Sequence, residues 1–149
     1  MRAVAQRVFE ASVRVDGALV GEIGPGLLVY LGAADGDDER DVEAMTNKLA
    51  GLRIFRDDEG KMSRSLEDTK GAMLVVSQFT LFGDVRRGRR PSFDGAAEPT
   101  IAEQLYEAVV SRARAKGLEV ATGQFKAMME VGSRGDGPVT ILIDTKKTF

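Results

Sequence analysis

The run Ala72-Met73-Leu74-Val75-Val76-Ser77-Gln78-Phe79-Thr80-Leu81-Phe82 constrains the fold more than any other stretch of this chain. It is short, apolar and rich in β-branched and aromatic residues, the composition of a strand buried on both faces. Three polar residues, Ser77, Gln78 and Thr80, interrupt it. Strand side chains alternate between faces, which predicts Gln78 with Thr80 on one side and Ser77 with Phe79 on the other. Burying an amide and two hydroxyls without partners costs roughly 1–3 kcal/mol per group. The cluster is therefore either a hydrogen-bonded core network or the floor of a site, and the segment alone leaves both open.

The surrounding chain has 149 residues, which points to one compact domain spanning residues 1–149. A hydrophobic fraction of 43% with 30% charged residues describes a globular protein. No apolar run approaches the roughly 20 residues that span a bilayer, and no cationic leader precedes an apolar one, so a cytoplasmic location without membrane contact is expected. The chain contains neither cysteine nor histidine. That excludes disulfides, Cys–His and Ser–His–Asp nucleophiles, and zinc sites built on Cys or His. Chemistry here must use carboxylates, hydroxyls, lysine, backbone N–H groups or the substrate itself. The net charge of −2 leaves any nucleic-acid role to a local basic patch.

Read in order, residues 2–15 alternate loosely, and Asp16-Gly17 before Ala18-Leu19-Val20 is a two-residue hairpin signal. Gly24-Pro25-Gly26 then introduces a second buried strand, Leu27 to Leu31. Asp35 to Asp38 form an acidic loop suited to capping a helix that carries Val42, Met45 and Leu49 and stops near Gly51. Arg53-Ile54-Phe55 reads as a short strand. After the central run, Arg86, Arg87, Arg89 and Arg90 place four arginines in five positions between Gly and Pro. Such a loop is either solvated surface or a grip on backbone phosphates, with Phe93 available for base stacking.

Pro99 with a Thr100/Glu103 capping box predicts a second helix ending at Gly117, with Ile101, Leu105 and Val109 beside Ala102, Tyr106 and Val110 facing the core. Leu118 to Ala121 and Ala127 to Val131 read as strands. Gly132 to Pro138 reads as a turn before a last buried strand, Val139 to Ile143. The fold class is α/β: a curved, mostly antiparallel, barrel-like sheet with two main flanking helices.

Two segments are not generic. Ser77-Gln78-Phe79-Thr80-Leu81 and Gly137-Pro138-Val139-Thr140 closely resemble the two signature motifs of the D-aminoacyl-tRNA deacylase family. Residues 1–8, Gly21 to Leu28, Leu52 to Phe55, Gly60-Lys61-Met62, Gly88 to Phe93 and Thr122-Gly123 resemble the same family, in order along the chain. A sister group that edits a different mischarged tRNA has Pro-Gln and Ala where this chain has Ser77-Gln78 and Phe79. Two residues before the glycine of the Gly-Pro pair, where the family usually has Asn, this chain has Gly135. Ser133 and Arg134 stand at commonly apolar positions.

The resemblance implies hydrolysis of the ester between a D-amino acid and the 3′-terminal adenosine of tRNA, without metal or cofactor. It implies a homodimer in which a cis Gly137-Pro138 peptide enters the partner's site. There its carbonyl groups would hold the substrate's α-amino group and exclude the L side chain, leaving glycyl-tRNA as a second substrate. Gln78, Phe79 and Thr80 would be catalytic, through backbone oxyanion donors and a water assisted by the ribose 2′-hydroxyl. Ser77, Met129 and Arg7 would join Gly137 and Pro138 in substrate binding, and Arg86, Arg87, Arg89 and Arg90 would meet the tRNA. Two other classes fit parts of the sequence: a non-catalytic RNA-binding module using those arginines, and a metal-dependent hydrolase using the acidic loop at 35–41.

Overall fold

A computed structural model describes all 149 residues. The sheet is built on β1 (Arg2–Val15), whose residues 2–8 pair antiparallel with β3 (Gly26–Gly32) and residues 11–15 with β2 (Ala18–Ile23). Nearly the whole of β1 also pairs antiparallel with β8 (Glu130–Asp144), so both of its edges are covered. At the β1–β2 hairpin Asp16 and Gly17 have φ of 49° and 79°, the paired positive values of the turn that matches strand twist. β3 continues into parallel pairs with β6 (Ala72–Ser77) and then β7 (Glu119–Thr122), making the sheet mixed. Its far end curls back onto β2. A Cβ on Gly21 would lie 2.3 Å from the Thr122 carbonyl oxygen, so only glycine permits this near-closure.

Alternation then separates two cores. Leu28, Leu74 and Val76 pack with Val8, Val13 and Ile23 inside the curl. Leu27, Val29, Leu31, Met73 and Val75 face the other way, against α1 (Glu39–Gly51) and α3 (Pro99–Ala115). A β4–β5 ribbon (Phe55–Arg56, Met62–Arg64) and a one-turn α2 (Leu66–Thr69) complete the chain. The strand expected at 53–55 thus begins only at Phe55. No helix is long and apolar enough to cross a membrane.

α1 follows its sequence signals: Asp38 is the N-cap, Asp41 closes a capping box, and Val42, Met45 and Leu49 are buried. α3 departs from them. Proline's fixed φ suits the first helical position, so the helix starts at Pro99 with Glu98 as N-cap, and Thr100 falls inside it without forming the expected box with Glu103.

Two larger corrections concern the motifs. The run 72–82 is not one strand: β6 ends at Ser77, paired to Leu31 near the end of β3. Beyond the partner strand no ladder remains. Gln78 donates its backbone N–H to the Leu31 carbonyl at 2.8 Å, and the chain closes into a 3₁₀ turn at Phe79–Phe82. The predicted face alternation through Thr80 is therefore lost. Likewise 127–143 is not strand, turn, strand, because β1 templates one continuous β8. Between Gln6↔Thr140 and Val8↔Gly135 the single residue Arg7 faces residues 136–139, which bulge from the ladder. The Gly137–Pro138 peptide in this bulge is cis. Nor is the end of β8 fully buried: Ile143 is, but Leu142 is 61% exposed.

Candidate active site

The ends of β3 and β6 open onto a cavity of about 610 Å³, within the usual range for small-molecule sites. Ser77, Gln78, Phe79 and Thr80 line one side of it. Ala97, just before α3, with Pro99, Ala102 and Tyr106 on its N-terminal half, and the segment Phe125 to Met129 also line it. Most of the lining is apolar. Ser77 and Gln78 are half-buried and Thr80 is exposed, so the polar cluster is cavity wall rather than a core network.

Gln78 donates from Nε2 to Thr80 Oγ1, fixing both side chains on the turn. The backbone amides of Phe79 and Thr80 occupy the first positions of the 3₁₀ turn, where an N–H has no earlier carbonyl of its own helix to reach. No residue lining the cavity carries a carboxylate or an imidazole, so the Thr80 hydroxyl has neither as a base there. Phe79 is 54% exposed and meets Phe93 edge-on, with centroids 5.0 Å apart. Met129 reaches the cavity because Gly123 makes way: a Cβ there would lie 2.6 Å from the Met129 sulfur.

Arg7, Gly137 and Pro138 do not line this cavity. Arg7 is 3% exposed behind the β8 bulge. Its Nε donates to the Asp136 carbonyl at 3.2 Å and pairs with the Asp136 carboxylate at 3.1 Å, while a third bond goes to the Ile54 carbonyl. These contacts hold Gly137 and Pro138 outward, exposed to solvent.

The description "D-Tyr-tRNA(Tyr) deacylase" matches residues 4–144. The chain belongs to that family. It is 59% identical to the D-aminoacyl-tRNA deacylase of Sorangium cellulosum, covering 100% of both chains. It is 58% identical to that of Symbiobacterium thermophilum, covering 100% of this chain and 99% of the relative. A solved structure titled "c-Myc DNA Unwinding Element Binding Protein" superposes with a TM-score of 0.92 at 39% identity, over 97% of this chain and 99% of that one.

The arginine loop of this deacylase-family chain lies beside the cavity rather than in it. An Asp84–Ser92 bridge and the Phe93–Phe79 contact tie it to the turn. Arg86 is engaged by Asp84, and its hydrogen bonds hold that carboxyl down at about 2. Arg87, Arg89 and Arg90 are exposed.

The acidic loop is consumed by structure: Asp38 caps α1, and Asp37 meets the Met1 ammonium at 2.8 Å. Burial raises the Asp41 carboxyl, but hydrogen bonds from Lys146 and Thr145 outweigh it and leave the group at about 2. A depressed carboxylate stabilises the fold above its unfolded pKa near 4, and that stabilisation is lost as pH falls toward 2. Asp41→Asn is expected to lower stability at neutral pH and flatten the acid limb, as read by thermal melts from pH 7 to 2.

Sequence reading missed Tyr106 as a wall of the site, because it sits in an ordinary core-facing stripe. Its buried hydroxyl donates to the Val75 carbonyl at 2.8 Å, anchoring α3 to the strand that carries the motif. Burial pushes its pKa up to about 12. A tyrosine among small alanines was the available signal: a ring with a polar tip beside residues too small to fill space.

Proposed function

We propose that this chain hydrolyses the ester joining a D-amino acid to the 3′-terminal adenosine of tRNA, releasing free tRNA and amino acid in the cytoplasm. The observation that carries the reading is a mostly apolar cavity bordered by two successive amides, Phe79 and Thr80, with no carboxylate or imidazole in its wall. Attack of water turns the ester carbonyl into an oxyanion, and one preorganised N–H donor to such a group is worth about 3–4 kcal/mol. With no carboxylate or imidazole to serve as base, the 2′-hydroxyl beside the ester assists the water, while Gln78 and Thr80 position it.

Chirality is read from a second copy. Gly137 and Pro138 project from the surface and do not reach their own cavity, which supports the reading that they complete a partner's. Inserted there, their carbonyls accept from the α-ammonium, and the backbone behind them leaves no room for an L side chain. Discrimination arises from this exclusion. Glycine, lacking a side chain, passes the filter. Arg87, Arg89 and Arg90, reaching out beside the cavity, take backbone phosphates of the tRNA.

Incubating the protein with D-Tyr-tRNA and L-Tyr-tRNA tests the reading: only the D ester should be cleaved. A pure RNA-binding module would cleave neither. Thr80→Ala is expected to retain measurable single-turnover deacylation, and a loss of about 10³-fold or more would move catalysis onto the side chain. Conversely, Phe79→Pro removes a backbone N–H at a position proline tolerates, and should be about 10²–10³-fold slower than Phe79→Ala.

A further inference from the structure

Lys126 is the single residue with a charged side chain in the cavity lining. It is exposed, between half-buried Phe125 and Ala127, which puts it at the rim rather than in the depth. No carboxylate in the chain pairs with it; Lys48, Lys70 and Lys147 are also unpaired, but none of those three lines the cavity. Its backbone is as informative as its charge. Lys126 has φ of 62° at the third position of a turn closed by the Ala127 N–H bonding to the Gln124 carbonyl at 3.2 Å. Glycine fills such a position without strain, whereas an L side chain is disfavoured there. Asp16, Lys70 and Lys147 share the left-handed backbone, but of the four only Lys126 stands at the cavity, where such strain points to a role for its side chain.

On the deacylase reading above, the buried end of the substrate is an adenosine bearing an amino acid with a free α-ammonium. A cation deep in the cavity would repel that ammonium. At the rim it meets the opposite charge, since the RNA backbone leaves the terminal nucleoside through its 5′-phosphate. We propose that Lys126 binds the phosphate linking the terminal nucleotide to the one before it, and so selects a nucleotide over a nucleoside at the cavity mouth.

The test compares two small esters, D-tyrosyl-adenosine and the same ester of 5′-AMP, which differ only in that phosphate. The wild-type dimer should cleave the AMP ester with kcat/KM about three- to tenfold higher at low salt. Lys126→Ala and Lys126→Gly should cleave both esters equally, at the wild-type rate for the adenosine ester. With full D-Tyr-tRNA, both variants should flatten the slope of log kcat/KM against log salt by about 0.7. Lys126→Gly also relieves the left-handed backbone, so its melting temperature should not fall and misfolding cannot account for the loss. Equal cleavage of the two esters by wild type, or a preference that survives in the variants, overturns the assignment of Lys126 alone. Failure to cleave either ester or D-Tyr-tRNA overturns the deacylase reading, and this inference with it.

Discussion

Gly137→Ala is expected to reduce kcat/KM on D-Tyr-tRNA by at least about 10²-fold while the chain still folds. Gly137 has φ of 136°, a conformation L side chains rarely adopt. A Cβ would stand 2.7 Å from the Val139 nitrogen, 2.8 Å from its Cγ2 and 3.4 Å from Arg7 Nη2. The nitrogen is backbone and cannot rotate away, so the bulge itself must shift. Because the residue is exposed, that shift costs little of the core but displaces the carbonyls proposed to receive the substrate amine. Circular dichroism and melting should stay near wild type, with the loss confined to turnover. Wild-type kinetics in this variant would remove the Gly137–Pro138 filter from the proposal.

Arg7→Ala is expected to cost both stability and activity. The guanidinium is buried and serves Ile54 and Asp136 together. Its removal strands two carbonyl oxygens and a partly buried carboxylate, a loss of about 2–4 kcal/mol. For a chain of this length that is roughly 5–15 °C in melting temperature. Arg7→Lys keeps the charge but not the forked geometry, and should fall between. In a double-mutant cycle, Arg7→Ala with Asp136→Ala should be less damaging than the sum of the two, because the second change removes the orphaned carboxylate. Additive effects would mean that the ion pair does not hold the bulge.

Much of the fold was legible because local signals and tertiary demands agree. Asp16-Gly17 makes the hairpin it predicts, and Asp38 caps α1 with Val42, Met45 and Leu49 buried. Where they disagree, tertiary pairing wins. Gly132 to Pro138 has the composition of a turn, yet the length of β1 draws it into one strand, interrupted at residues 136–139 and by a second register shift opposite Phe9. The apolar run through Phe82 has strand composition, yet β3 stops supplying partners at Gly32, so Phe79 and Thr80 enter a turn. Of the candidate site residues, Ser77 to Thr80 and Met129 line the cavity wall. Lys126 was illegible for another reason: a lysine in a short loop carries no sequence signal until its backbone angle and its neighbours are known.

The pairing of β1 has a consequence for how the molecule comes into being. Residues 2–14 wait for residues 130–144, distant in sequence, before their second edge is covered. Until then a long uncovered strand is open to mispairing, and contacts so distant in sequence form slowly. The bulge that carries Gly137 and Pro138 therefore takes shape only when this last strand docks. The segment proposed to read the substrate is thus fixed by the strand pairing that spans the longest stretch of sequence.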